Sequence, residues 1–391
     1  MKKTWQKFIT LALAGAMSLS MISCGVTNNG GDVDTGIRLP NVTQAKNVIL
    51  LIGDGMGPAQ IRAGELYKGE KLAMQKFPYK TMVQTRSAIG LTDSAAAATA
   101  LATGTRTSNG YVGRYVVPAT GETTDLETIV DIAHGLGKRT GVIATEELHG
   151  ATPMGFSAHS NSRGNTDELL SSAATSSNVN LFASYTIHEK YIPVFTDAGY
   201  TRITDADLIS ESTEEKIIGS YSILAEYEPM MVDGSFVSFD RLVTEALEYL
   251  SKDEDGFFLM AEGSHIDHGG HNNDIRYMLD ELLAFDNMIA AVLEWAKDRD
   301  DTVVIVTADH ETGGLLLEEN ATQEDLLEAY IKGYHDCFKW TSTGHTNDDV
   351  NLYINGADIN FAEFSFKNEN RIKNIEVFEM MKTLMIGKET E

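Results

Sequence analysis

Short apolar runs, each closed by glycine or polar residues, recur at Val48–Ile52, Gly141–Ala144, Gly256–Ala261 and Thr302–Thr307. Runs of this length and content are expected as strands buried on both faces. Between them the apolar positions follow helical spacing, which predicts helices over Ala59–Tyr67, Ser94–Thr103, Asp125–Leu136, Asp274–Lys297 and Gln323–Ile331. Strands alternating with helices predict an α/β fold: a central, largely parallel sheet with helices on both faces. The polar clusters described below fall just past the ends of those strands, where open α/β sheets bind ligands. Between Asn165 and Phe239 the pattern is mixed, and residues 165–240 are read as a peripheral insertion.

The N-terminus follows a different pattern. Lys2, Lys3 and Lys7 precede an apolar run from Phe8 to Ile22, too short for a comfortable membrane span and suited to an export signal over residues 1–23. Ser23-Cys24-Gly25 resembles the end of a bacterial lipoprotein signal, with Cys24 the lipidated residue and Met21 where leucine is usual. Gly, Asn, Thr and Asp dominate residues 24–41, which read as a flexible tether to a single catalytic domain over residues 42–391. Besides Cys24 the chain has only Cys337, so lipidation of Cys24 leaves no intramolecular disulfide.

Composition narrows the field. An apolar share of 42% and a charged share of 23% suit a folded core. A formal net charge of −26 argues against nucleic acid or an anionic membrane surface as partner. Membrane contact is expected only through lipid on Cys24, at the periplasm or on a bacterial membrane.

Four stretches carry metal-ligand residue types. Gly53-Asp54-Gly55-Met56-Gly57 puts a carboxylate among glycines at a strand end; alone, it could equally be a turn. Glu262-Gly263-Ser264-His265-Ile266-Asp267-His268-Gly269-Gly270-His271 gathers three histidines and two acids, and its glycines suggest a loop rather than a helix. Asp267 and His271 there suit a borderline-soft cation such as zinc. Asp309-His310 follows the last strand, and His345 lies in a polar stretch, Thr343 to Asn347. Together they offer ligands for two or three metals. Ser94, after Asp93, heads an alanine-rich helix; either residue could simply be its N-cap, or the helix terminus could draw a phosphoryl group to Ser94. No Gly-x-Ser-x-Gly elbow is present, so a Ser-His-Asp hydrolase is poorly supported.

Taken in order, these motifs resemble the bacterial and animal alkaline phosphatases. The likeness runs from about Asn47 to about Asn351 through Gly-Asp-Gly-Met-Gly, Asp-Ser-Ala, Ala-Thr-Pro with a downstream arginine, Glu-Gly-x-x-Ile-Asp-x-x-x-His, Asp-His and Gly-His-Thr. The resemblance implies hydrolysis of phosphate monoesters through a phosphoserine on Ser94, with two Zn2+ and one Mg2+ as cofactors. It implies one zinc on Asp267, His271 and His345, a second on Asp54, Asp309 and His310, and magnesium on Asp54, Thr152 and Glu262. It further implies that Arg163 grips phosphate oxygens, held by Asp93. Family members are commonly homodimers, and no interface is legible here.

Some positions depart from the pattern. His268 follows Asp267 where well-studied bacterial members carry lysine and animal members histidine. Gly150 replaces a side chain that in relatives tunes the third metal, which implies a weaker or differently filled site. Asn178–Tyr185 lacks an expected glycine-rich segment, so the correspondence is not carried through Asn165–Phe239. A phosphodiesterase, phosphonate hydrolase or cofactor-independent phosphoglycerate mutase would share the metal ligands, but Ser94 and Arg163 favour a monoesterase. A sulfatase needs proline where Ala96 stands. A lipoprotein that only binds metal or phosphate would leave Ser94 and Arg163 without a use.

Overall fold

The computed structural model describes residues 37–38, 44–224, 236–356, 365–366 and 371–387. Residues 1–23, read as an export signal, and Cys24 lie outside the described residues, as do most of residues 24–41, read as a tether.

A ten-stranded sheet organises the chain. Its strands are β1 (Asn47–Gly53), β2 (Tyr79–Gln84), β3 (Arg139–Glu147), β4 (Leu181–Thr186), β5 (Thr201–Arg202), β6 (Ile217–Ser220), β7 (Phe257–Gly263), β8 (Thr302–Thr307), β9 (Val350–Gly356) and β10 (Arg371–Lys373). In space they run β10-β2-β9-β8-β1-β7-β3-β4-β6-β5. Every pairing is parallel except those of β9 with β8 and β2. Every residue of β1, β7 and β8 is buried, which explains their unbroken apolar runs. The segment read as a peripheral insertion supplies β4, β5 and β6, which extend this sheet to one edge.

The helices used below are α1 (Pro58–Lys68), α2 (Ser94–Thr103), α3 (Ile129–Gly135), α4 (Ala151–Ser157), α5 (Phe239–Leu250), α6 (His265–His271), α7 (Ile275–Ala296) and α8 (Asn374–Ile386). One face of the sheet carries α2, α3, α4 and α8; the other carries α1, α5 and α7. All ten residues of α2 are buried. Alanine suits such a helix because its neighbours come close: a Cβ on Gly155 of α4 would lie 2.6 Å from the Cβ of Ala98. The expected helix over Asp125–Leu136 is shorter than its pattern. Thr123–Asp125 instead pairs with Arg114–Val116, and a Thr128–Asp131 capping box starts α3 at Ile129. Among the described residues no helix is long and apolar enough to cross a membrane.

Candidate active site

β8, β1 and β7 end side by side: Thr307 is in register with Ile52, and Ile52 with Glu262. Asp54 comes one residue after β1, Asp309 and His310 just after β8, and Glu262 sits in the last step of β7. All four are buried, Glu262 and His310 completely. Gly55 lets these ends meet. Its φ is +73°, and a Cβ there would lie 2.6 Å from the Cα of Asp267. The Gly55 amide donates to Asp309 Oδ1 at 3.2 Å, and its carbonyl accepts from the Thr312 amide.

The stretch expected as a loop after β7 is corrected by the structure: His265–His271 is helix α6. Two glycines cost a helix about 1 kcal/mol each against alanine. Here they are required, because a Cβ at Gly269 would lie 2.5 Å from the Met278 amide nitrogen and one at Gly270 2.7 Å from the Thr312 carbonyl. Close packing on α7 and the 312 region therefore outweighs propensity. In a helix, Asp267 and His271 share a face. His271 Nε2 lies 3.3 Å from Asp267 Oδ2.

Two sets of ligand atoms converge, Asp267 with His271 and His345, and Asp54 with Asp309 and His310. In the first set both imidazoles are oriented through Nδ1, His271 to the Thr343 carbonyl at 2.6 Å and His345 to the Thr92 carbonyl at 2.9 Å. That leaves the two Nε2 atoms facing each other at 3.3 Å, beside the Asp267 carboxylate. Two lone pairs at that separation need a positive charge between them. Without a cation it must be a proton, and the hydrogen bond to Asp267 pushes His271 up to about 9. Burial opposes ionisation of Asp267, yet its hydrogen bonds with His271 and Thr312 hold it well below the usual carboxylate range.

In the second set His310 Nε2 lies 3.1 Å from Asp309 Oδ2 and 3.6 Å from Asp54 Oδ1. Neither carboxylate oxygen has a hydrogen-bond partner. Burial, reinforced by the charge of Asp267, pushes Asp309 up to about 7. Asp54 is pushed well up by burial and by Asp309, and burial holds His310 well below its ordinary value. Thr152 Oγ1 and both oxygens of Glu262 are likewise buried without partners, and Glu262 is pushed well up by burial and by Glu146. Buried carboxylates that repel one another are costly unless cations balance them, so this oxygen-rich set fits divalent metal.

Ser94 is the first residue of α2 and only 5% exposed. Its Oγ lies 3.1 Å from His310 Nε2. Asp93 is the N-cap, accepting the Ala96 amide through Oδ1 at 3.0 Å. Its Oδ2 accepts the Gly110 amide at 3.0 Å and lies 3.5 Å from Arg163 Nη1. The structure thus brings the candidate catalytic and metal-ligating residues to one end of the sheet, whereas Cys24 lies outside the described residues. Three that reasoning from sequence missed stand with them. Thr312 donates its hydroxyl to Asp267 and lies 3.2 Å from His310 Nδ1. Glu311 accepts from Gln60, Thr346 and the amides of Gly314 and Leu315, fixing the loop that approaches His345. Both directly follow Asp309-His310, which was the available signal. Glu146 is the last residue but one of β3, and no motif marked it.

Two carboxylate–imidazole ligand sets, an oxygen-only set and a serine heading a buried helix define an α/β protein whose clustered donors fit divalent metal. A model of the alkaline phosphatase family matches residues 45–219 and 233–329. Alkaline phosphatase 4 of Bacillus subtilis is 32% identical over 311 residues, covering 73% of this chain and 66% of that relative. The alkaline phosphatase of Escherichia coli K12 is 28% identical over 358 residues, 73% of this chain and 74% of the relative. The structure of the alkaline phosphatase from the Antarctic bacterium TAB5 superposes with a TM-score of 0.71 at 28% identity, covering 89% of this chain and all of that one. This chain belongs to the alkaline phosphatase family, a family of metal-dependent phosphomonoesterases. The family match runs unbroken through residues 165–219, where the sequence left the correspondence open.

Proposed function

We propose that this chain hydrolyses phosphate monoesters by two successive in-line displacements at phosphorus, with Ser94 as the nucleophile and two zinc ions and one magnesium as cofactors. The reading rests above all on Ser94 Oγ, 3.1 Å from His310 Nε2 at the head of α2 and next to both ligand sets. Asp267, His271 and His345 would hold one zinc; Asp54, Asp309 and His310 the other. Mixed imidazole and carboxylate donors suit zinc, whereas the oxygen-only set of Asp54, Thr152 and Glu262 suits magnesium. Variants of the Antarctic enzyme solved with Mg bound in a site called M3 support the third cation. When bound, the cations supply positive charge that eases ionisation of the Ser94 hydroxyl and neutralises the phosphoryl oxygens.

The chain's own groups do the rest. Ser94 Oγ gives up its proton and bonds to phosphorus as the P–O bond of the ester breaks, and the departing oxygen takes the electron pair and, in net, a proton to leave as the alcohol. A water then attacks the same phosphorus, and Ser94 leaves with a proton. Each displacement inverts phosphorus, so the pair retains its configuration. Arg163 would pair its two-pronged guanidinium with two phosphoryl oxygens, and its approach to Asp93 supports Asp93 as the residue that steadies it. The positive end of α2 adds to their pull. Export and lipid anchoring through Cys24 complete the reading and rest on the signal from Lys2 to Gly25.

Hydrolysis of p-nitrophenyl phosphate and its bis-ester tests this directly, with chelator and then with zinc and magnesium restored. Monoesterase activity lost to chelator and regained with metal is expected; activity mainly on the bis-ester would overturn the assignment. Ser94→Ala should keep its metal and lose turnover by about a thousandfold or more. Intact turnover in that variant would rule out the phosphoserine.

A further inference from the structure

Glu146 is the least expected group at this end of the sheet. The pairing of β3 with β4 slips between Ala144 and Glu147: Ala144 pairs with Ser184, and Glu147 with Thr186. Two residues, Thr145 and Glu146, therefore stand opposite Tyr185 alone, a bulge of the kind that re-aims a side chain. Thr145 uses its hydroxyl to accept the Ser264 amide at 2.8 Å, which ties the bulge to the strand end carrying Glu262. Glu146 then folds back over Gly150. A Cβ at position 150 would fall on its carboxylate, so this path exists only because residue 150 is glycine.

The neighbourhood needs a cation. Thr152 Oγ1 and both Glu262 oxygens are buried and lack hydrogen-bond partners, and Asp54 Oδ1 shares that condition. Glu146 itself is half-buried, and the positive charge acting on it is that of Arg163. Arg163 offers Glu146 one positive charge, but three carboxyls, Asp54, Glu262 and Glu146, gathered around an unpartnered Thr152 hydroxyl leave an excess of negative charge that a divalent cation would balance.

We propose that Glu146 is a residue of the third metal site, ligating the divalent cation of Asp54, Thr152 and Glu262 directly or through one bound water, with Gly150 the position that admits it. This rests on the three-cation reading above. The geometry assigns the site to a hard, oxygen-preferring cation, since every donor is an oxygen.

The test uses the zinc-loaded protein and reads metal, not turnover. Magnesium is titrated into wild type, Glu146→Gln and the double variant Glu146→Ala/Gly150→Asp, with bound metal counted by equilibrium dialysis and mass spectrometry. Wild type should take up a third equivalent. Glu146→Gln, which keeps the shape and removes the charge, should bind magnesium about tenfold or more weakly while retaining two zincs. The double variant, which returns a carboxylate from the other side of the same space, should recover most of the loss. Magnesium affinity in Glu146→Gln within about twofold of wild type would overturn the role of Glu146 and leave the three-cation reading intact. A wild-type protein that binds two zincs and no third cation would overturn both.

Discussion

Asp93 has two carboxylate oxygens and three partners, and substitution can separate what it does for the fold from what it does for Arg163. Oδ1 caps α2 through the Ala96 amide; Oδ2 accepts the Gly110 amide and faces Arg163 Nη1 at 3.5 Å. Asp93→Ala removes the cap, worth about 1 kcal/mol, and leaves the Gly110 amide without an acceptor, about another 1 kcal/mol. The ion pair adds little, because the Arg163 side chain is 44% exposed; such pairs are worth about 0–1 kcal/mol. The sum is about 2–3 kcal/mol, readable as a lower urea midpoint at unchanged slope. Asp93→Asn keeps an N-cap oxygen, but its amide nitrogen cannot accept from Gly110, so it should lose about 1–2 kcal/mol, less than Asp93→Ala. Both variants release Arg163 from its anchor, so both should bind inorganic phosphate several-fold more weakly, at most about tenfold, which is 1.4 kcal/mol. The assay is competitive inhibition by phosphate beside urea unfolding of the same zinc-loaded samples. KM should rise by more than kcat changes, since on the proposed mechanism the guanidinium would bind the phosphoryl group throughout the reaction. If Asp93→Asn binds phosphate like wild type, Arg163 does not depend on Asp93 and the positioning argument fails.

Three further predictions follow from other parts of the molecule. Removing metal should lower the melting temperature markedly, since a site holding free cation at a hundred times its Kd contributes about 2.7 kcal/mol; calorimetry with and without chelator that shows the same melting point would contradict the charge argument for both ligand sets. Gly55→Ala should cost about 2 kcal/mol or more and impair zinc loading, because φ is +73° and the new Cβ would press on the Asp267 backbone; normal stability with two zincs bound would refute it. Glu281 on α7 is buried and pushed up to about 7 from an ordinary 4.5 by burial and by Asp280, while its neighbour His265, 3.9 Å away, is pushed down to about 4 by burial and offers no charge. A carboxyl raised in the folded state costs nothing below pH 4.5 and progressively more as pH climbs to about 7, here on the order of 3 kcal/mol. Glu281→Gln should therefore stabilise the protein at pH 8 and much less at pH 5, and an equal change at both values would sink the idea.

How much of this was legible in the sequence depended on where each residue sits. Central strands declared themselves because both their faces are buried, so β1, β7 and β8 read as unbroken apolar runs. At the edge, β5 and β6 are short and carry partly exposed residues, and no such run marks them. β9 is antiparallel and alternates buried with half-buried positions near its start, a weaker signal inside a largely parallel sheet. Asp54, Asp309 and His310 were legible as candidate ligands because they follow strand ends directly. Glu146 was not, because its position depends on a one-residue bulge, and the extra residue appears only when β3 is set against β4.

The misjudged glycines of α6 and the unpartnered carboxylates have one explanation. Judged by local rules, a seven-residue helix with two adjacent glycines is poor, and a buried Glu262 with two bare oxygens is worse. Both are sustained by surroundings the sequence does not display: the backbones of Met278 and Thr312 leave no space beside Gly269 and Gly270, and that same approach sets Asp267 and His271 opposite His345. Positions that break local rules while the rest of the chain obeys them are where a protein has been shaped for chemistry. Here they cluster around one serine at the head of one buried helix, and the stability they forgo can be restored only by the cations they are arranged to hold.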